Sequence, residues 1–238
     1  MQHLDGAISS PLTFACAAKS GTIQLQVTPN NLILAGWTGR DHTAIEAHIE
    51  ELGRLGVGRP RSVPIFYRVG ASLITRAHTI QVYGCNSTGE GEFVLFAAEG
   101  RRWITVGSDQ TDRKAEAIGV TLSKQLCAKP IGTEAWALDE IEGHWDDLVL
   151  RSFAEIDGKR QLYQDSSVRS MTEPQKLLDL YNQRNPGRWN EGWVMFCGTL
   201  PVHGEIRWAD AFTVELEDPV LHRVLTHSYR IEALPDEG

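Results

Sequence analysis

Apolar and polar residues alternate along much of this chain, and that alternation predicts strands before anything else. Phe14, Ile23, Leu25 and Val27 read as one strand face, with Gln24 and Gln26 on the other. Leu32-Ile33-Leu34-Ala35 is a short apolar run closed by Gly36. Short strands follow at residues 63–67, 72–75, 79–83, 93–97 and 103–106, with Gly100 as the turn between the last two. Asp157-Gly158, flanked by residues 148–156 and 161–164, is the strongest hairpin signal in the chain. Residues 192–196, 212–216 and 220–231 complete the set.

Helical periodicity is confined to a few stretches. In residues 41–55, Ile45, Ile49, Leu52 and Leu55 recur at helical spacing, and Asp41 or Thr43 can cap the first turn. Gly53, Gly56 and Gly58 loosen the chain beyond it, and Pro60 and Pro64 bar any continuation. Residues 138–148 have a helical pattern with Ile141 and Trp145 on one face. Residues 173–181 form an amphipathic helix with Pro174 in its first turn, Leu177, Leu178 and Tyr181 facing inward, and Asn185-Pro186-Gly187 ending it. Gly119 argues against one long helix over residues 115–126. Helices do not regularly separate the strands, so the expectation is a strand-rich α+β fold and not a doubly wound parallel sheet.

Composition narrows the classes. The chain has 238 residues, enough for one large domain or one domain with a small appendage. An apolar fraction of 42% with seven Trp is ample for a core. A net charge of −8 and no basic stripe argue against nucleic acid as a partner. No run of eighteen apolar residues exists, so no membrane span is expected. The first residues lack a basic segment followed by a long apolar one, so no signal peptide is read. Cys16, Cys85, Cys127 and Cys197 are far apart and show no C-x-x-C spacing, which argues against zinc and for reduced thiols in a cytoplasmic chain.

The chemistry concentrates between Gly89 and Lys124. Glu90 and Glu92 are one residue apart, so on a strand their side chains share a face. Asp109 follows the next strand. If the two strands are neighbours, three carboxylates converge from rigid elements, a hard oxygen set that suits Mg²⁺ or Mn²⁺ better than zinc. The same spacing also describes a solvated strand face with an aspartate in a turn, and spacing alone does not choose.

Several motifs, in order over residues 30–233, resemble the fumarylacetoacetate hydrolase family. They are Gly89-Glu90-Gly91-Glu92-Phe93, then Gly107-Ser108-Asp109-Gln110-Thr111-Asp112-Arg113, then Ser123-Lys124-Gln125-Leu126 leading to Pro130-Ile131-Gly132. Asp157-Gly158-Lys159 with Gln164-Asp165, and Gly198-Thr199-Leu200-Pro201 with Ala209-Asp210, complete the set. The likeness is to an uncharacterised bacterial branch, similar to the family DUF2848. It implies a mixed β-sandwich roll with a few flanking helices over residues 31–233, preceded by an N-terminal strand extension over residues 1–30. It also implies Glu90, Glu92 and Asp109 as metal ligands, and Lys124 beside the ion binding a substrate oxygen. Arg113, Gln110, Thr199 and Gly198 would bind substrate. Arg113 has a rival reading, a salt bridge to Asp112 or Glu116.

The family's general base is a histidine with a glutamate three residues on. Here His48 and Glu51 have that spacing, and His42 with Glu46 is a rival placement. The activity implied is metal-dependent hydrolysis of a C–C bond in an acylpyruvate or β-diketo acid, through an enolate. The same residues suit a decarboxylase, isomerase or hydratase of a 2-oxo acid, or a non-catalytic metal- or ligand-binding protein. The implied partners are a small 2-oxo or dicarbonyl acid and a second copy in a homodimer, whose apolar interface Trp189 and Trp193 would suit. The pattern departs from the family's at Lys129, where an apolar or small residue is more typical before the proline, in a Lys124-to-Pro130 spacing one residue shorter than usual, and at Arg68, where lysine is common.

Overall fold

Residues 91–98 are buried at every position, so neither face of that strand meets water. The rest of the fold is arranged around this run. A computed structural model describes residues 8–54, 58–185 and 189–237, apart from the side chains of His48, Glu51 and Leu52.

The strands, in chain order, begin with β1 (Leu12–Ala18), β2 (Gly21–Val27) and β3 (Asn31–Gly36). Helix α1 (His42–Arg54) precedes β4 (Ile65–Val69), β5 (Ile74–Thr75), β6 (Thr79–Tyr83), β7 (Ser87–Thr88), β8 (Gly91–Ala98) and β9 (Arg101–Ser108). Then come β10 (Thr111–Asp112), α2 (Arg113–Glu116), α3 (Val120–Gln125), β11 (Lys129–Pro130) and β12 (Glu134–Ala137). The hairpin β13 (Val149–Ile156) and β14 (Lys159–Ser167), α4 (Pro174–Arg184), β15 (Trp193–Thr199), β16 (Ala211–Asp218) and β17 (Arg223–Leu234) complete the chain.

Eight strands form one mixed sheet in the order β2-β1-β12-β9-β8-β15-β3-β4, and five form a second in the order β14-β13-β16-β17-β6. The fold is strand-rich α+β, as the alternation implied. Along β8 the parity of the side chains separates two cores. Phe93 and Leu95 face the second sheet and pack with Val214, Leu216 and Tyr229. Val94 and Phe96 face the other way and pack with Phe14, Leu34 and Phe196. The Phe14 and Phe96 rings stack 4.3 Å apart, although β12 and β9 lie between their strands. The large sheet therefore curls on itself into a roll.

The local signals explain most elements. Asp41 Oδ1 accepts hydrogen bonds from the backbone N–H groups of Thr43 and Ala44 and so caps α1, and Ile45 and Ile49 are buried. Asp157 and Gly158 both have positive φ, 53° and 68°, the backbone a two-residue hairpin requires. Pro174 opens α4, and Leu177, Leu178 and Tyr181 are buried.

Other expectations shift. Residues 138–148 form 3-10 turns, with His144 breaking the second one at φ −135°, because its ring turns to Asp218 Oδ1 at 3.0 Å. Residues 71–73 make one 3-10 turn before the two-residue β5. The last strand starts at Arg223, because Asp218 Oδ1 accepts from the N–H groups of Val220 and Leu221 and holds a turn there. Ile23 is 47% exposed. Trp189 and Trp193 are half-buried against the core, with Trp193 edge-on to Tyr181 at 5.6 Å, so they do not form an exposed apolar face. Leu55, Pro186 and Gly187 lie outside the described residues.

Candidate metal centre

Strands β8 and β9 pair antiparallel, with Gly91 opposite Ser108 and Glu92 opposite Gly107. One step beyond the ladder, Asp109 N–H donates to Glu90 O at 2.9 Å. This register places the Asp109 side chain beside those of Glu90 and Glu92. The three carboxylates each offer an oxygen within 4.8 Å of the others. Glu92 and Asp109 are buried, and Glu90 keeps 15% of its side chain exposed. The pattern-level expectation that these three residues meet is met by the geometry.

The backbone permits this closeness through glycine. Gly107, opposite Glu92, could carry no Cβ without coming 2.7 Å from the Phe196 ring and 2.8 Å from Pro130 O. Gly198, at φ +95°, would bring a Cβ to within 2.0 Å of Thr38 Oγ1. Its N–H donates to Glu92 Oε2 at 2.7 Å. A close turn at Gly198 thus fixes the Glu92 carboxylate.

Three cations surround the acids. Lys124, on α3, places Nζ 2.5 Å from Asp109 Oδ2 and 3.2 Å from Glu90 Oε2. Arg113 donates to Thr88 Oγ1 at 2.7 Å, Glu90 Oε1 at 2.9 Å and Glu116 Oε2 at 3.2 Å. Lys129, fully buried in β11, has Nζ 3.2 Å from Asp109 Oδ1. The electrostatics follow. Burial would raise the Glu90 carboxyl, but the Lys124 and Arg113 charges outweigh it and hold it down at about 2. Burial pushes Glu92 well above the usual range, and the negative Asp109 and Glu90 push the same way. Burial disfavours charge on Lys124, yet the three carboxylates overcome it and raise its proton affinity.

The acids fit a divalent cation. Asp109 Oδ1 is buried and accepts no hydrogen bond, although a buried polar atom is ordinarily paired. Glu92 is crowded by two like charges that a dication would relieve. All three donors are hard carboxylate oxygens, the set that Mg²⁺ or Mn²⁺ takes.

The remaining predicted residues are placed differently. Gln110 is fully buried, donating to Ser87 Oγ at 2.9 Å and accepting from Tyr229 OH at 2.8 Å, so both ends of its amide are committed inside the protein. The Thr199 hydroxyl donates to Gly91 O at 3.0 Å and accepts from Gln164 at 2.7 Å. Gly198, Thr199 and Gln110 therefore brace the centre through these bonds. Arg113 pairs with Glu116, one of its two rival readings, while Asp112 caps α2 through Ala115 N–H. His48 and Glu51 lie on α1, but their side chains fall outside the described residues. In the rival placement, His42 is exposed and Glu46 is paired with Arg59.

A supporting layer escaped the sequence reading. Gln164, from the second sheet, accepts from Gly91 N–H at 3.0 Å and from Ser152 Oγ at 2.6 Å. Tyr229 OH donates to Gln110 Oε1 and accepts from the Ser108 hydroxyl, both at 2.8 Å. Gln164 carried a signal in its Gln164-Asp165 segment. Tyr229 carried none, since nothing local distinguishes it from any other aromatic residue in a strand.

A search of curated proteins returns no significant match to the sequence. Solved structures do match. A 2-keto-3-deoxy-D-arabinonate dehydratase complexed with magnesium and 2,5-dioxopentanoate is 14% identical, with a TM-score of 0.60 over 87% of this chain and 74% of that one. A yeast protein of the fumarylacetoacetate hydrolase family is 17% identical, with a TM-score of 0.58 over 87% and 95%. A 4-oxalocrotonate decarboxylase from Pseudomonas putida G7, complexed with calcium and acetate, is 13% identical, with a TM-score of 0.51 over 85% and 79%. These likenesses establish a shared fold. No helix among the described residues is long and apolar enough to cross a membrane. Residues 35–229 match the model of one family, and the chain therefore belongs to the family described as Protein of unknown function (DUF2848).

Proposed function

We propose that this protein is a divalent-metal-dependent enzyme acting on a small 2-oxo acid or β-dicarbonyl acid, with Mg²⁺ or Mn²⁺ held by Glu90, Glu92 and Asp109. The observation that carries this reading is the convergence of three carboxylates within 4.8 Å, with a buried oxygen of Asp109 that accepts no hydrogen bond. The magnesium and 2,5-dioxopentanoate in the dehydratase complex and the calcium in the decarboxylase complex support it. Bound there, a divalent ion supplies Lewis acidity to the substrate oxygens.

The chain's own groups do the rest. Lys124 offers an ammonium to the oxygen on which negative charge develops. Arg113 holds Glu90 in place, and Gly198 holds Glu92. His48 paired with Glu51, the base that the family resemblance implies, would take a proton from water. The hydroxide adds to the acyl carbonyl and the C–C bond breaks. The electron pair passes to the 2-oxo acid fragment as its enolate, which then takes a proton at carbon. In the second reading, no hydroxide is delivered to an acyl carbonyl, and the enolate chemistry gives decarboxylation, isomerisation or the addition of water across a C=C bond. The dehydratase and the decarboxylase among the matched folds favour keeping it. Residues 31–233 are the catalytic unit in either case, with β1 and β2 as an N-terminal extension.

A panel of acylpyruvates and oxaloacetate, assayed with Mn²⁺ and with EDTA, tests the proposal. Metal-dependent turnover of at least one compound is expected. Acylpyruvate cleavage lost in His48→Ala selects hydrolysis. An unchanged rate in that variant removes His48 as the base, and no turnover of any compound sinks the enzymatic reading.

A further inference from the structure

Lys129 is a charged residue of the centre that no functional reading has used. Its side chain is fully buried, and Nζ lies 2.6 Å from Gln110 O, 2.6 Å from Lys124 O and 3.0 Å from Cys127 O. Three acceptors at these distances need three N–H donors, which only the ammonium form supplies. The charge is therefore present, and its donors are directed at carbonyls. Asp109 Oδ1, 3.2 Å from Nζ, feels that charge but receives no hydrogen bond from it.

The charges can be counted. With Glu92 ionised to take an ion, Glu90, Glu92, Asp109 and Glu116 would carry four negative charges, against three positive charges on Lys124, Lys129 and Arg113 in this ion-paired set. A divalent ion added to this set leaves one net positive charge. Without Lys129 the same set would be neutral when loaded.

We infer that Lys129 is a specificity-determining positioning residue, a fixed cation beneath Asp109 that weakens the centre's hold on a metal ion and strengthens its hold on an anionic ligand. The inference rests on the reading of Glu90, Glu92 and Asp109 as a metal centre. It assigns the ligand a negative charge, carried by a chelating group such as a 2-oxo carboxylate. It also gives the residue before Pro130 a role that an apolar side chain there would lack.

Two neutral variants test it, Lys129→Gln, which keeps two donors for the carbonyls, and Lys129→Met, which keeps none. Mn²⁺ binding to EDTA-stripped protein is measured by calorimetry, and oxalate binding is then measured on the Mn²⁺-loaded protein. Removing a charge this close to the ligand set should tighten Mn²⁺ by about tenfold and weaken oxalate by about tenfold, in whichever variants fold. A residue that only held carbonyls would weaken both ligands or neither, and Lys129→Gln would then bind as the wild type does. Either result overturns the inference while leaving the metal centre standing. Failure of the wild-type protein to bind Mn²⁺ overturns the metal reading itself.

Discussion

Replacing Glu92 by Gln should raise the stability of the metal-free protein and abolish most of its response to metal. Glu92 lies within 4.8 Å of two other carboxylates, oxygen to oxygen. Two unit charges at that distance, at the effective dielectric typical of such sites, repel by about 3.5 kcal/mol per pair. Attraction to Lys124 offsets about one pair, and protonation of Glu92 caps the remainder, which leaves about 2 kcal/mol. The pH dependence follows from the raised carboxyl. A carboxyl whose folded-state proton affinity is raised contributes stability at low pH and loses it as pH rises above its unfolded value near 4.5. The amide has no such loss, so the gap between variant and wild type widens toward pH 8. Gly198 N–H can still donate to the amide oxygen, so that anchor survives.

In a thermal melt of EDTA-treated protein, the variant should therefore unfold about 4–8 °C higher than wild type. Added Mn²⁺ at about 100 times its Kd should stabilise wild type by about 2.7 kcal/mol. In the variant that shift should fall by more than half. A metal-free variant that melts below wild type, or a Mn²⁺ shift of unchanged size, would refute the reasoning.

Three further outcomes follow. Lys124→Met leaves the carboxylates without the ammonium that sits 2.5 Å from Asp109, and the metal-free protein should lose about 3–5 kcal/mol, with Mn²⁺ restoring part of it in a melt. Gly198→Ala combines a φ of +95° with a Cβ 2.0 Å from Thr38 Oγ1. It should cost about 3 kcal/mol or more, and Thr38→Ala in the same chain should recover part of that loss by chemical denaturation. His227 is held neutral, its pKa lowered from 6.5 to about 4 by burial and then by the Arg76 and His78 charges. Its contribution is complete above pH 6.5 and is lost as pH falls toward 4, about 2 kcal/mol in all once its partial exposure is allowed for. His227→Gln should flatten the melting temperature over that range.

The sequence was most legible where one local rule governs the backbone. The Asp157-Gly158 turn, the Asp41 cap and the Pro174 start depend on a few adjacent residues, and all three stand in the structure. Glu90 and Glu92 were readable because strand parity is local. Their meeting with Asp109 depended on one further guess, that β8 and β9 are neighbours, and Gly100 between them made that reasonable. Residues 138–148 were misread because a tertiary contact, His144 to Asp218, overrides the helical periodicity. The bonds that Gly198, Thr199 and Gln110 make inside the protein were illegible for a related reason. A motif says that a residue lies near the site, but not which of its neighbours will take its hydrogen bonds. Lys129 was visible only as an oddity before Pro130, since a lysine in sequence gives no sign of being buried.

The buried polar residues carry an argument of their own. Ser87, Thr88, Glu92, Ser108, Asp109, Gln110, Thr111, Asp112, Lys124, Lys129, Ser152 and Gln164 are all buried, and each lies in the carboxylate cluster or within a few bonded steps of it. Burying such groups costs stability unless each finds a partner. Apart from Asp109 Oδ1, they find them, through a network that runs from Tyr229 and Gln164 in the second sheet to the ends of β8 and β9. An apolar layer of the same volume would hold two sheets together at least as well. This end of the sandwich, built from charge and hydrogen bonds, is therefore explained by what it positions, three carboxylates at fixed separation, and not by what it adds to the stability of the fold.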